Sequence, residues 1–435
     1  MYLRLLTLIR ELEPNRHFLK LWGSQLLSLV AFNMVNFMLL IRVYDLTRSS
    51  TAVSFFVLSF GLPALIFGAV AGVFADRWNR RTTLITTNVL RAIVVLGYLV
   101  AFDSWVTILI ITAIISTITQ FFAPAEGALI PELVERRRLV AANAIFMVTM
   151  FGSFVIGYGI AGPLSAVGGD SLPIILAAIM FAAATLFCWR LPRRQDRGEV
   201  VAIRQAYAGV FSQLKEGLRL LRGNAEVQYG LWQLTFVWAT IGVVMVVLPA
   251  FTADVLGLNL REVSRLIIIP IGIGMLCGGY ILHRARRQFR VRGIVFVSLL
   301  LAGLSVIALG QLSNVTGWLA EQSLDLGLSS TALQQLVTSL ASTLLGVTLS
   351  IAMIASQTLI HEFAAVEARG RVFGVLGMTV NAANTLPVLL AGALTDLVSV
   401  SVVVTTVGTM LLLWAIVSRL VIAKRLAVDT PQSGS

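Results

Sequence analysis

The chain has 435 residues, of which 57% are hydrophobic and only 12% are charged, and it carries a formal net charge of +12. A soluble domain is about a quarter charged, so this composition excludes an ordinary soluble globular protein. Runs of about 20 apolar residues recur along the whole length, as a polytopic helical membrane protein requires.

Twelve spans are predicted in chain order: 21–41, 52–74, 82–102, 104–124, 139–161, 172–190, 227–250, 264–282, 293–312, 333–356, 371–395 and 398–419. Lipid offers a backbone no partner, so each must be a helix. The expected fold is all-α: twelve transmembrane helices in two pseudo-symmetric six-helix bundles, 1–190 and 227–422. A cytoplasmic linker, 191–226, divides them, and 423–435 is expected to be a disordered cytoplasmic tail. The N-terminus has no short apolar region with a small-residue cleavage site, so the first span is expected to be retained.

With both termini cytoplasmic, 28 of the 33 Lys and Arg fall on cytoplasmic segments. Four fall outside (Arg42, Arg48, Arg261, Arg265) and Arg91 lies within a span. This asymmetry sets the orientation by the positive-inside rule. The basic excess suits anionic lipid headgroups, with membrane lipids as partners rather than nucleic acid. The expected location is a bacterial cytoplasmic (inner) membrane.

Span 1 carries Gln25, Ser28, Asn33 and Asn36 within an arc of roughly 140° at 100° per residue. Between spans 2 and 3 lies a charged, glycine-led stretch, Gly72 to Arg81, holding Asp76, Arg77, Arg80 and Arg81. Arg91 follows roughly 13 Å into span 3, at 1.5 Å per residue. An intramembrane charge is costly unless paired or hydrated. Arg91 is therefore a candidate for anionic-substrate recognition or for coupling; the alternatives are an arginine bonded to carbonyls or one snorkelling to the cytoplasmic side. Span 4 clusters Thr112, Ser116, Thr119 and Gln120. No carboxylate is placed at mid-membrane. Asp103, Glu126, Asp170 and Asp396 sit near span ends, and Glu126 is the best-placed coupling candidate.

Span 5 is glycine-rich (Gly152, Gly157, Gly159, Gly162-Pro163). Small residues permit close helix approach and Pro163 permits a bend. In the linker, Ile203, Tyr207, Val210, Leu214, Leu218 and Leu221 keep helical spacing beside Lys215, Arg219 and Arg222. That pattern predicts an amphipathic helix on the cytoplasmic membrane surface or against the bundle ends. Span 7 is aromatic (Trp232, Phe236, Trp238) with Gln228 and Thr235. Span 10 carries Gln334, Gln335, Thr338, Ser339 and Ser342. Span 11 carries Asn381, Asn384 and Thr385. Uncharged polar and aromatic groups together suit a bulky amphipathic substrate; interhelical hydrogen bonding is the competing reading of each stripe residue.

The halves echo each other. Gly72–Arg81 aligns with Gly278–Arg287 at an offset of 206, with Leu282 in place of Asp76. Leu129, Ile130 and Glu132 align with Leu359, Ile360 and Glu362 at an offset of 230. The outer stretch 313–333 accounts for the difference and is expected to be a polar loop.

No lysine follows a glycine as a phosphate loop needs. Cys188, Cys277 and the three histidines are scattered without ligand spacing. No metal, cofactor or enzymatic site is expected.

On these motifs the chain resembles the major facilitator superfamily, particularly its drug- and siderophore-exporting branch (enterobactin-type and macrolide-type exporters). Gly72, Asp76, Arg77, Arg80 and Arg81 match the signature between spans 2 and 3. Gly159, Gly162 and Pro163 are similar to the glycine-proline pattern of exporters, and Pro124–Pro131 is similar to that branch. The resemblance implies a conformational latch in the signature loop, with Asp76 at the positive N-terminal end of span 11 near Gly370 and Arg371. Arg77 would pair with Glu126 or Glu132. The resemblance further implies that spans 1, 4, 7 and 10 line a cavity and that protons drive export of an amphipathic drug-like compound or siderophore by a monomer. Import, lysolipid flipping on the same fold, or a non-transporting sensor or scaffold are the alternatives.

Overall fold

A computed structural model of the chain describes residues 15–75, 78–192, 225–257, 262–286, 288–321, 330–363 and 384–429. The described residues are helical, with no strand among them. Eleven helices are long and apolar enough to cross a membrane. In the first half they are α1 (Arg16–Thr47), α2 (Ser50–Ala75), α3 (Arg80–Leu96), α4 (Trp105–Leu133), α5 (Leu139–Gly168) and α6 (Ser171–Trp189). The second half has α7 (Ala225–Ala250), α8 (Ile269–Ala285), α9 (Val291–Gly310), α10 (Ser330–Phe363) and α12 (Val400–Asp429). Residues 384–397, here α11, are the described part of the predicted eleventh span. The amphipathic linker pattern lies outside the described residues.

Local chemistry sets the helix ends. The Asn15, Asn79 and Ser104 side chains accept the amides of Phe18, Thr82 and Thr107 at the starts of α1, α3 and α4, satisfying N–H groups that a helix start leaves without partners. Arg48 adopts a left-handed conformation (φ 50°), and its amide closes α1 on the Tyr44 carbonyl. The predicted third span breaks at Gly97, after which Tyr98–Ala101 forms one further turn. The stretch expected as an outer loop is helical over Leu312–Glu321, because Leu312 and Thr316 find buried positions.

Helix packing divides the chain into two units. In the first, α1 lies along α5 and α6, and α3 lies along α4 and α6. Gly157 makes the α1–α5 approach possible: a Cβ there would come within 2.9 Å of the Val30 carbonyl oxygen and the Met34 amide. An apolar core gathers at the basic end of this unit, with Phe18, Leu21, Leu84, Phe122, Ala125, Leu129 and Cys188 all buried.

In the second unit α9 lies along α10 and α12, the arrangement of α3 with α4 and α6 six helices later, as two related bundles require. Gly274 and Gly278 lie one turn apart on α8 and face the backbone of α10 too closely for any side chain, which is small-xxx-small packing.

The second unit also takes in Ser49–Ser54, assigned on sequence to the first bundle. The Asp396 carboxylate accepts the Ser49 hydroxyl at 2.6 Å and the amides of Ser50 and Thr51 at 2.7 and 3.0 Å. The Ser54 hydroxyl reaches the Val388 carbonyl at 2.8 Å. Asp396 thus caps a helix start that is remote in sequence. Burial raises its pKa, but hydrogen bonds from Ser49, Thr51 and Ser50 outweigh that and hold it below the usual carboxylate value. The sign follows: the cap contributes stability above the unfolded-state pKa and loses it as pH falls through the lower folded value. Asp396→Ala is expected to cost about 1 kcal/mol, as lost caps do, between pH 5 and 8. Thermal unfolding in detergent checks this; an unchanged midpoint would remove the cap.

Candidate functional site

Two ion pairs mark equivalent places in the two units. Arg80, opening α3, donates to Glu132 at 2.6 Å and to the Ala128 carbonyl at 2.8 Å. Arg286, just after α8, donates to Glu362 at 2.7 Å. Arg80 and Arg286 are 206 residues apart and Glu132 and Glu362 are 230 apart, the two offsets at which the sequence repeats. The internal repeat is therefore realised as the same salt bridge made twice. Arg81 donates to the Trp189 carbonyl at the end of α6. Asp76, Arg77, Gly370, Arg371 and Asn381 lie outside the described residues, while Gly72 is in the last turns of α2. Glu132, expected as an Arg77 partner, receives Arg80, whose position at the start of α3 brings it beside the end of α4.

Above this layer sits the most heavily enclosed charge of the first unit. Arg91 is only 2% exposed. Its Nε donates to the Thr87 carbonyl at 3.3 Å and an Nη to Asn88 Oδ1 at 2.9 Å. The guanidinium lies 4.3 Å from the Phe122 ring centre and 5.1 Å from that of Phe181, a desolvated cation–π arrangement. Asn88 is fully buried and works as a hub. Its Oδ1 also accepts the Ser28 hydroxyl at 3.0 Å, and its Nδ2 faces Ser24 Oγ at 3.4 Å and Cys188 Sγ at 3.8 Å. Ser24 and Cys188 are themselves 3.0 Å apart. Helices α1, α3 and α6 thus meet on one amide. The fourth wall is α4, which supplies Phe122 and, one turn further, Glu126.

Glu126 is 7% exposed. It interacts electrostatically with Arg91 and Cys188, yet its Oε1 has no hydrogen-bond partner and no direct ion pair joins it to Arg91 among the described residues. Arg91 is therefore neither snorkelling nor open to an anionic substrate in this conformation: it is held by a carbonyl, an amide and two rings, with a carboxyl group nearby.

The predicted stripes divide by what their polar atoms do. Thr112, Thr119, Thr235 and Thr338 return their hydroxyls to the carbonyls of Ile108, Ile115, Leu231 and Gln334 on their own helices. Ser116 bonds the Phe60 carbonyl of α2, Gln120 the Ser116 carbonyl and Asn33 the Ser153 hydroxyl. Asn36 is buried, Gln335 half-buried and Trp232 49% exposed. Buried polar atoms without a partner remain on Gln25, Ser342 and Asn384. Gly159 and Gly162 are buried within α5, which continues through an exposed Pro163.

Sequence reading missed Asn88, although its place one turn before Arg91 was visible. Gln233 and Trp414, which bond at 2.8 Å in the second unit, are far apart in the chain and gave no pattern.

Two six-helix bundles of membrane-crossing helices, internally repeated, are the architecture of a class of multi-pass transporters. The Major Facilitator Superfamily profile matches residues 21–342, and the chain belongs to that family. Among its relatives, the uncharacterized MFS-type transporter YfiS of Bacillus subtilis is 22% identical over 89% of this chain and 88% of its own. Macrolide efflux protein A of Streptococcus pyogenes is 22% identical over 68% of this chain and 73% of its own. Among solved structures, the POT family transporter PepTSo matches with a TM-score of 0.72 at 11% identity, covering 96% of this chain and 99% of that one. A bacterial homolog of the human lysosomal transporter Spinster, inward-facing and unoccupied, matches with a TM-score of 0.68 at 13% identity over 97% and 99%. These structural likenesses establish the fold.

Arg91→Lys keeps the charge but loses the planar fork and the ring stacking. We expect the variant to unfold at a clearly lower temperature in detergent, with a loss of 2 kcal/mol or more, on the order of a disrupted buried charge site. A midpoint within 1 °C of the parent, roughly the scatter of an inert surface change, would contradict the clamp.

Proposed function

We propose that the chain exports an amphipathic small molecule, a drug-like compound or a siderophore, across the bacterial cytoplasmic membrane in exchange for protons. Its termini are cytoplasmic, its two bundles alternate access about a cavity, and it works as a monomer without a cofactor or catalysed reaction. The observation that carries the coupling is Glu126: a carboxyl buried beside Arg91, with one oxygen lacking any hydrogen-bond partner. A buried ionised carboxylate without hydrogen bonds is costly, and a proton removes the cost. With Glu126 protonated, Arg91 rests in its Asn88 clamp; with Glu126 ionised, attraction draws the guanidinium off the clamp that ties α1, α3 and α6. One proton thereby acts on the packing of three helices.

Export and cargo rest on the macrolide efflux relatives and on the unspent polar atoms of Gln25, Ser342 and Asn384 among apolar helices. The signature loop, with Asp76, Arg77, Arg80 and Arg81, is proposed as the conformational latch, its Arg80 held by Glu132.

Everted vesicles containing the protein are expected to accumulate a radiolabelled macrolide when their interior is made acidic, and Glu126→Gln to lower that accumulation at least tenfold with binding retained. Accumulation that ignores the gradient, or an unaffected Glu126→Gln variant, would contradict proton coupling; accumulation only in right-side-out vesicles would reverse the direction. Asp76→Asn is expected to slow transport in a protein that still inserts and folds, read by the same assay and by size-exclusion chromatography.

A further inference from the structure

One oxygen in the first unit serves two helices. Asn88 is fully buried on α3. Its Oδ1 accepts the Ser28 hydroxyl of α1 at 3.0 Å and an Arg91 Nη at 2.9 Å. A guanidinium only donates, so Arg91 fixes which end of the amide faces it. The Nδ2 end is turned to Ser24 Oγ at 3.4 Å and Cys188 Sγ at 3.8 Å. An amide oxygen has two lone pairs, and here each has a donor. Both donors are almost wholly enclosed, Ser28 at 1% exposure and Arg91 at 2%.

The two donors compete. Each draws charge from the same oxygen, so each weakens the other's bond. The remaining partners of Arg91 do not involve α1: the Thr87 carbonyl lies on its own helix, and the rings of Phe122 and Phe181 belong to α4 and α6. Among the described residues, Asn88 Oδ1 is therefore the Arg91 acceptor whose strength α1 alters. The same guanidinium interacts electrostatically with Glu126 of α4. Cys188 of α6 is the other titratable group that interacts with Glu126, while α1 turns the hydroxyls of Ser24 and Ser28 to the cluster. No charged group of α1 or α5 adds to that interaction among the described residues.

We propose that Asn88 is a positioning residue for Glu126, and that through Ser28 the packing of α1 sets how readily Glu126 keeps its proton. With Ser28 seated, Asn88 Oδ1 is shared and holds Arg91 loosely, so the guanidinium is available to an ionised Glu126. With Ser28 withdrawn, the oxygen serves Arg91 alone, the guanidinium stays in its clamp, and Glu126 keeps its proton. Linkage makes the effect reciprocal. A proton on Glu126 strengthens the Arg91–Asn88 bond and loosens α1; loss of that proton seats α1 again. The inference rests on the coupling proposed for Glu126 and adds the helix and the atom that respond to it.

The test is an infrared titration of the reconstituted full-length protein, with no substrate and no gradient. It follows the carboxylic acid band that Glu126→Gln lacks. Ser28→Ala removes the α1 donor and orphans nothing, because Oδ1 keeps Arg91. Its midpoint is expected to rise by about half a pH unit, within the net contribution of one hydrogen bond. Asn88→Leu, of nearly the same size, removes the oxygen and frees the guanidinium toward Glu126. Its midpoint is expected to fall by about one unit, as a lost hydrogen bond to a charged group allows. A residue that merely packs helices would lower the melting temperature of both variants without driving the two midpoints apart. Opposite shifts support the inference. If Asn88→Leu does not fold, Ser28→Ala decides alone, and a midpoint equal to the parent's or below it would overturn the inference. A parent band that titrates, with both variants unmoved or moved the same way, would overturn it and leave the coupling at Glu126 standing. A parent with no titrating band would remove that coupling and this inference with it.

Discussion

The first bundle is organised around one constraint: a guanidinium almost wholly enclosed by protein. Arg91 is 2% exposed, and a cation in that position is tolerable only if its donors and its charge are answered locally. Asn88 and the Thr87 carbonyl answer the donors, two phenyl rings take the faces, and the Glu126 carboxyl of α4 lies nearby without a direct ion pair. Those partners come from different helices, so meeting the constraint also fixes how α1, α3, α4 and α6 pack. Asn88 is central because one amide takes hydrogen bonds from α1 and from Arg91 at once.

No arginine as enclosed as Arg91 occurs among the described residues of the second unit. Its α8–α10 contact depends on glycines that let backbones touch, and its interior holds the Gln233–Trp414 bond, stacked aromatic rings and a buried Glu226 paired with Arg292. The two related bundles therefore have different interiors on a shared plan. The common plan persists at the basic end, where Arg80–Glu132 and Arg286–Glu362 form the same bridge in each.

Much of the fold was legible because bilayer thickness dictates it: apolar runs of set length can only be helices there. The repeat was legible too, and its two offsets turned out to pair Arg with Glu twice. Arg91 stood out because charge within an apolar run is rare. What surrounds it did not, because partners such as Ser24, Asn88 and Phe122 are ordinary membrane-helix residues until packing joins them. The polar stripes were harder still. A threonine that bonds its hydroxyl to its own helix, as Thr112 and Thr338 do, has the same sequence spacing whatever it faces. Ser49–Ser54 belonged on sequence to the first bundle; the cap by Asp396, 345 residues or more away, is a long-range contact with no local signal.

The central claim is that Glu126 takes up and releases a proton beside Arg91. Difference infrared spectroscopy of the reconstituted protein during a pH titration tests it most directly, because a protonated carboxylic acid has a carbonyl band that a carboxylate lacks. We predict a band that disappears as pH rises, shifts in Arg91→Lys and is absent from Glu126→Gln. A protein with no titrating band, or a band that survives in Glu126→Gln, would contradict it.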